Sequence, residues 1–433
     1  MITVKDSIIR KSGTRLVIGY DLRPSFAQIS YLTGKDAEPE TIPYLAGTEQ
    51  YDIPAVLARR KDNGQWLYGK EAEDAPEEEV FRVRDLLSKA ERGEEIPVGE
   101  EKFDPVALLS LFVRRSLGLL AAAGIPDHFD SFMFTVENLT PRTVEVLGRV
   151  KAAISGNPES ITCQSHMESF YHYMMHRDPE LLQGGAMCFE LEPHLKTMHF
   201  TVNLHTVPKV CMIEKAEYPE FTRFLKPDPP VSEKNRKDSA FADLLRGSVF
   251  PGKDLRSVYL LGDGFSGEWM SESLKVLCAR KRAFQGSNLF GKGAAFAALE
   301  RLSEPEENPE YVYLGEDKLK SNIGLYVKER GEDSYFAALD AGENWFEAKK
   351  DFQMILTGGS EIEFFVTPMT GTGAKRRIIS LEGLPEREKK TTMLLFHLEM
   401  TDAHTLNVDI EDLGFGEIVK ASGLAWSHSI KVE

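Results

Sequence analysis

The chain has 433 residues, 42% of them hydrophobic and 28% charged, a balance typical of a soluble globular protein with two or three domains. Its 68 acidic residues outnumber its 52 basic residues and give a net charge of -16. This excess argues against general binding to nucleic acids or to anionic membranes.

The cysteines and the apolar segments predict a cytoplasmic protein. The four cysteines form no C-x-x-C pair, which is typical of reduced thiols in the cytosol. Met1–Arg10 alternates charged and apolar residues, so we expect no signal peptide. The longest apolar segment, residues 106–123, contains Arg114 and Arg115 and predicts an amphipathic helix rather than a membrane span.

The first part of the chain predicts a β-hairpin and a long helix. Arg15–Leu22 and Phe26–Leu32 are apolar runs separated by a short turn, which predicts two paired strands. The helix predicted for Phe103–Ala123 begins with Asp104 as its N-cap and ends at Gly124.

The middle of the chain alternates predicted strands with predicted helices, which indicates an α/β domain. The clearest strand signal is Thr197–His205, where apolar and polar residues alternate. We expect Tyr218–Asp238, which is rich in proline and charge, to be an exposed loop. The other predicted elements are strands at 52–57, 65–68, 132–136, 160–163, 186–190 and 257–261, and helices at 141–154, 166–176, 269–280 and 291–299.

Beyond residue 300 the predicted elements are nearly all strands. Glu304–Pro309 is a predicted linker, so we expect one domain at residues 1–305 and a second at 306–433. Short strands with alternating apolar residues predict a β-sandwich in the second domain. These strands are predicted at 361–366, 376–381, 393–400, 405–410 and 425–432, and we expect no helical lid after them.

The first hairpin, IGYDLRPSFAQISYL, places an acid at the end of a buried strand before a tight turn. Such a turn can bring a carboxylate and backbone amides close to a phosphate and its metal. The segment resembles the first phosphate-binding hairpin of the superfamily of actin, sugar kinases and heat-shock protein 70, usually I-G-I-D-L-G-T-T-N-S. Gly19, Asp21, Leu22 and Ser25 fit this pattern. Arg23 stands where the family has glycine, and its side chain either blocks phosphate or binds it.

Further segments resemble heat-shock protein 70 motifs in the same chain order. Glu168 lies in a segment similar to the helix that links the two lobes, and Glu73 falls near the family's catalytic lysine. The second phosphate hairpin, usually D-L-G-G-G-T-F-D, reads E-L-E-P-H from Glu190 and has lost every glycine. Residues 262–264 resemble the adenosine motif, and Gly293 lies in a segment similar to the closing helix.

The resemblance implies a two-lobed, actin-like α/β ATPase fold followed by an all-β sandwich, because residues 381–408 resemble the substrate-binding sandwich of the chaperones. About 70 residues separate Glu190 from Gly262, which implies a reduced upper subdomain in the second lobe. The implied cofactor is ATP or ADP with Mg²⁺, held through water by Asp21 and Glu190. The implied degenerate nucleotide site consists of Asp21, Arg23, Ser25, Glu168, Glu190, Gly262, Asp263, Gly264 and Gly293.

Two functions follow from the resemblance, and the sequence leaves both open. One is a divergent chaperone-like protein that binds peptide or protein partners through the sandwich. The other is a pseudo-ATPase scaffold, or an actin-like assembly protein, without hydrolysis. Because the phosphate-loop glycines and the lysine are lost, we expect no efficient ATP hydrolysis and assign no catalytic residue.

Two other patterns are interpreted as structural. His172 and His176 have a spacing that could bind zinc on a helix, but they lack the glutamate of H-E-x-x-H. Ser266 lacks the flanking glycine pattern of a nucleophile elbow. We therefore predict neither a zinc site nor a hydrolase.

Overall fold

The computed structural model describes residues 15–34, 38–45, 47–126, 128–182, 184–192, 194–224, 231–304, 309–369 and 373–432. The chain divides into two compact units. Unit 1 consists of Met1–His205 and Cys211–Pro309, and unit 2 of Thr206–Val210 and Glu310–Glu433. The segment Met1–Arg10 and most of the predicted linker lie outside the described residues.

Strands and helices alternate up to residue 300, and strands alone follow. In chain order the elements are β1 (Leu16–Leu22), β2 (Phe26–Thr33), β3 (Glu40–Thr41), β4 (Ile53–Pro54), β5 (Leu57–Arg60), β6 (Trp66–Tyr68), α1 (Gly69–Asp74), β7 (Val80–Val83), α2 (Leu86–Arg92), β8 (Ile96–Val98), β9 (Glu101–Phe103), α3 (Pro105–Ala122), β10 (Ser131–Val136), α4 (Pro141–Ile154), β11 (Ile161–Ser165), α5 (His166–Met175), α6 (Pro179–Leu182), β12 (Gly185–Leu191), β13 (Leu195–Asn203), β14 (Lys209–Tyr218), α7 (Val231–Leu244), β15 (Leu255–Leu261), α8 (Glu272–Leu277), β16 (Arg282–Gly286), α9 (Leu289–Glu300), β17 (Tyr311–Tyr313), β18 (Ser321–Glu329), β19 (Glu332–Leu339), β20 (Lys349–Leu356), β21 (Glu361–Pro368), β22 (Lys375–Ser380), β23 (Thr392–Asp402), β24 (Thr405–Gly414) and β25 (Ala425–Lys431). The expected order of a mixed α/β region before a β-rich region is confirmed.

Unit 1 contains two large sheets with the same strand order. The first runs β11-β10-β1-β2-β3, and the second contains the run β16-β15-β12-β13-β14. In each sheet the central strand, β1 or β12, pairs antiparallel with the next strand in sequence and parallel with the strand on its other side. The two central strands therefore hold equivalent positions in their sheets.

The predicted first hairpin and long helix are both confirmed. All seven residues of β1 are buried, which explains its uninterrupted apolar sequence. Asp104 caps α3 by accepting a 3.2 Å hydrogen bond from the Val106 amide. Among the described residues, α3 is the one helix long and apolar enough to cross a membrane, and half of that segment is buried inside the protein.

Helix α9 packs directly against β1 and α5 because glycines line the contact. A Cβ atom on Gly19 would collide with the carbonyl oxygen of Gly291. A Cβ atom on Gly293 would collide with the carbonyl oxygen of Ser169 in α5. These glycines allow the helix to lie close to the end of β1, where the candidate site is located.

Unit 2 contains two four-stranded sheets, ordered β19-β18-β21-β22 and β20-β23-β24-β25. Alternate residues of β23, including Leu394, Phe396 and Leu398, are buried as predicted. The rings of Phe364 in the first sheet and Phe396 in the second lie 6.5 Å apart, so the apolar faces meet. This β-rich region is consistent with a β-sandwich.

Two predictions in unit 1 are wrong. Residues 231–238, expected in an exposed loop, begin helix α7, because Phe241 in that helix and Leu245 directly after it pack into the core and order the charged turns before them. The helix expected at 269–280 is only the six-residue α8. Trp269 and Met270, which made it look longer, instead fill the core ahead of the helix.

Candidate functional site

The two central strands of unit 1 each place a carboxylate at the residue before their last. Asp21 holds this position in β1 and Glu190 holds it in β12. Their exposed fractions are 0% and 3%. Two buried acids at equivalent positions of two sheets need compensating positive charge, since an unpaired buried carboxylate is very costly.

The side chain of Arg23 supplies that charge to both acids. Its Nε donates to Asp21 Oδ2 at 3.0 Å, and its Nη1 donates to Glu190 Oε1. The guanidinium is 11% exposed and lies near the rings of Phe26 and Phe290, whose centroids are 4.9 and 5.3 Å away. Arg23 thus joins the first large sheet to the second through one planar group.

His166, the first residue of α5, occupies the other oxygen of Asp21. Its Nε2 lies 2.8 Å from Asp21 Oδ1. Its ring stacks on Phe290 with centroids 4.3 Å apart and an angle of 3° between the planes. We call Asp21, Arg23, His166 and Glu190 the Arg23 clamp.

The electrostatics of the clamp favour the charged forms of both Asp21 and Arg23. Burial would raise the pKa of Asp21, but Arg23 and His166 outweigh it and hold that pKa below its ordinary value. Burial would lower the pKa of Arg23, but Asp21 and Glu190 raise it above the ordinary value for arginine. Asp21 and Arg23 therefore form an ion pair at the centre of the clamp.

Further acids lie at the rim of the clamp. Asp52 and Glu192 are half-buried, and Asp263 is exposed. Burial first, and then the neighbouring acids, raise the pKa of Asp52 and of Glu192, while Arg23 lowers both. The Gln28 amide donates to Asp52 Oδ1 at 2.5 Å. This acidic rim disfavours a polyanion such as a nucleotide phosphate.

The residues present do not fit a Mg²⁺–nucleotide pair. Both carboxylate oxygens of Asp21 have partners, and Glu190 Oε1 accepts from Arg23. A divalent cation prefers free carboxylate oxygens, and the guanidinium lies between the two acids that would supply them. Among the described residues, no group of three or more His, Cys, Asp or Glu side chains is arranged to hold a metal.

Other residues of the predicted nucleotide site are not part of the Arg23 clamp, and each has its own contacts. Ser25 is exposed at the tip of the first hairpin, and its carbonyl accepts from the Ala55 amide. Glu168 is buried in α5 and forms a 3.8 Å ion pair with His172. Glu73, expected near the position of the catalytic lysine of heat-shock protein 70, pairs with Lys70 at 3.1 Å.

The predicted adenosine-motif glycines serve packing. Gly262 has a φ of 91°, which favours glycine. A Cβ atom on Gly264 would collide with the carbonyl oxygen of Leu191 at the end of β12. The carbonyl oxygen of Gly264 accepts from Lys237 Nζ at 2.5 Å and from the Trp269 indole at 3.1 Å. Gly293, as described above, lets α9 approach α5.

No sequence pattern indicates the roles of three residues around the clamp. His166 lies in a predicted helix, Gln28 lies in a predicted strand, and Phe290 lies outside the predicted elements. Only the tertiary structure brings His166 and Phe290 to the clamp. The cross-strand pairing of Asp21 with Gln28 follows from the hairpin register, which the short turn between β1 and β2 fixes.

Two family models match the chain. One, described as "Family of unknown function (DUF5716) C-terminal", matches residues 38–316. The chain belongs to this DUF5716 family. The other, described as "Domain of unknown function (DUF8552)", matches residues 318–432. A comparison with curated proteins gives no match.

The DUF5716 match and the clamp overlap only in part. Glu190 and His166 lie within the matched residues, whereas Asp21 and Arg23 precede them. The DUF8552 match falls within unit 2 and covers both of its four-stranded sheets. The boundary between the two matches, at 316–318, is close to the division between the units at Pro309.

Proposed function

We propose that this DUF5716 protein is a pseudo-ATPase scaffold for protein partners, with a two-lobed, actin-like fold in unit 1 and a relationship to heat-shock protein 70. The repeated strand order of the two large sheets supports the two-lobed fold. The order of the weak motifs along the chain supports the relationship. Fold alone does not define activity, so the functional part of the proposal depends on the site.

The observation that carries the proposal is the position of Arg23 between Asp21 and Glu190. A metal-dependent phosphoryl-transfer site needs its acids free to hold the cation, directly or through water. Here the cation is a side chain of the protein itself. Arg23 joins the two large sheets without a bound nucleotide. Because the acids are occupied, the site holds no metal that could position a phosphate for transfer.

Thermal unfolding in millimolar Mg-ATP and Mg-ADP tests this proposal. We expect no shift of the melting temperature and no release of phosphate above a blank without protein. A ligand present at a hundredfold excess over its Kd would stabilise the native state by about 2.7 kcal/mol, a shift that is easily seen. A stabilisation that Asp21→Asn abolishes would overturn the proposal and indicate a working nucleotide site.

A chaperone-like function for unit 2 is the second candidate, and one surface favours it. The outer face of the sheet β19-β18-β21-β22 exposes Tyr326, Tyr335 and Ile378 at 65%, 38% and 51%. The ring of Tyr326 contacts those of Tyr335 and Phe365 at 5.5 and 4.8 Å. A contiguous aromatic patch of this kind can hold apolar segments of another protein.

The second candidate is tested by suppression of aggregation. We expect the protein to slow the aggregation of a chemically denatured enzyme, and Tyr326→Ser to reduce this effect. Ile418→Ser is the matched control, because Ile418 is 79% exposed but lies in the loop after β24. Equal loss in both variants, or no suppression by the wild type, would remove this function.

A further inference from the structure

Strand β16 is an edge strand without a bulge or a proline. It pairs in parallel with β15 from Arg282 to Gly286 without a register shift. No strand among the described residues pairs with its other side. Edge strands are normally protected by a bulge, a proline or a covering element, because a free row of backbone groups can pair with another chain. The five residues of β16 include no proline, and four of them are exposed.

An exposed apolar side chain lies at the middle residue of β16. Phe284 is 42% exposed, and its ring stacks on the buried Tyr259 with centroids 5.1 Å apart. Arg282 lies two residues earlier and so on the same face of the sheet. The exposed phenylalanine, two residues after the charged Arg282, offers a second strand an apolar contact.

The sequence that leads into β16 has a charge opposite to that of the whole chain. Residues 246–282 carry seven Lys and Arg against four Asp and Glu, although the net charge of the chain is -16. The run Arg280, Lys281, Arg282 leads directly into the edge strand. Arg282 forms ion pairs with Asp178 and Glu180 at 3.8 and 3.7 Å, distances longer than a hydrogen bond, so a partner's carboxylate can still form hydrogen bonds with the guanidinium.

We propose that β16 is a docking edge for an extended acidic segment of a partner protein, which adds a strand to the second large sheet of unit 1. The partner's backbone would pair with the free side of β16. Its side chains on the Tyr259 face would place a carboxylate beside Arg282 and an apolar group, two residues away, beside Phe284. This inference rests on the proposed scaffold function in one respect, which is that the protein binds a protein partner. It does not depend on the nucleotide site, because β16 contributes no residue to the Arg23 clamp.

The experiment measures fluorescence anisotropy of a labelled synthetic peptide, Thr-Glu-Thr-Val-Thr-Glu-Thr, titrated with the full-length protein. We expect Arg282→Glu to weaken binding about tenfold, since it replaces attraction by repulsion at the contact. Phe284→Ser should weaken binding about fivefold through loss of the apolar contact. Lys375→Glu, an equal charge change at an exposed residue of unit 2, should leave binding within about twofold.

Two altered probes separate strand addition from simple charge attraction. A peptide with the same sequence but an N-methylated backbone should not bind, because it cannot complete the strand pairing. A peptide with lysine in place of glutamate should not bind either. Equal binding of the N-methylated peptide, equal weakening by Lys375→Glu, or displacement of the peptide by a thymidine oligonucleotide would each overturn the proposal. So would a lack of binding by folded wild-type protein, even if the nucleotide test confirms that the cleft is inert.

Discussion

At the scale of single residues, Arg23 decides what the centre of unit 1 can do. A glycine at this place would leave Asp21 and Glu190 as two facing carboxylates that require a metal. The guanidinium of Arg23 neutralises both acids, and it occupies carboxylate oxygens that would otherwise be free to coordinate a metal. One arginine in a turn therefore links two sheets at a place that would otherwise hold two unpaired acids.

Arg23→Met should destabilise unit 1 by about 3–5 kcal/mol, because it leaves the buried Glu190 without its ion-pair partner and leaves Asp21 with His166 alone. Urea unfolding followed by tryptophan fluorescence would measure this loss. Arg149→Met is the control, since Arg149 and Asp104 form a half-exposed ion pair that should contribute only about 0–1 kcal/mol. A loss below about 1 kcal/mol for Arg23→Met would mean that solvent, rather than Arg23, compensates the acids.

His172 gives the α5–α9 contact a dependence on pH. Its Nδ1 lies 2.9 Å from Glu300 Oε2, and its Nε2 lies 3.8 Å from Glu168 Oε1. Burial lowers the pKa of His172, but Glu300 and Glu168 outweigh burial and raise that pKa from 6.5 to about 9. The histidine is thus charged at neutral pH in the folded protein.

Because the folded-state pKa of His172 is the higher one, its contribution to stability is complete below about pH 6.5 and disappears as the pH rises through about 9. We expect the difference in melting temperature between wild type and His172→Gln to shrink between these limits. His205→Gln, at an exposed histidine, is the control and should show a constant difference. A difference for His172→Gln that does not change with pH would show that folding does not raise the pKa of His172.

At the scale of elements, close packing of α9 rather than ligand binding explains the glycines near the site. Gly293→Ala should cost about 1–3 kcal/mol, because its methyl group would meet the Ser169 carbonyl. Gly118→Ala in α3 should instead stabilise by about 0.5–1 kcal/mol, since nothing lies within 4 Å of the new atom. Chemical unfolding of both variants measures the contrast. A neutral Gly293→Ala would show that α5 and α9 separate easily.

The bounds of an element can be predicted from the sequence where its buried face leaves a periodic apolar pattern. They cannot be predicted where tertiary contacts alone order the segment. The first hairpin and β23 have patterns that only a strand can bury. Helix α7 has a polar beginning and becomes ordered through tertiary contacts. Asp238, expected in a loop, is buried there and accepts hydrogen bonds from the Ser271, Glu272 and Ser273 amides at the start of α8.

At the scale of the whole molecule, the two units should unfold as separate transitions in calorimetry, because each has its own core. Arg23→Met should shift only the transition of unit 1. Asp412→Asn should shift only that of unit 2, since Arg387 forms 2.8 and 2.7 Å hydrogen bonds to the two oxygens of Asp412 within that unit. If both variants move one shared transition, the units fold cooperatively.

The sequence by itself determined the first hairpin, the long helix α3, the change from α/β to β structure and the presence of an acid at the end of β1. These depend on local periodicity and turn chemistry, which are properties of neighbouring residues. The sequence left open whether Arg23 blocks or binds an anion. Only the tertiary structure decided that it binds Asp21 and Glu190, because Glu190 comes from a strand 167 residues away, and no local pattern records such a distance.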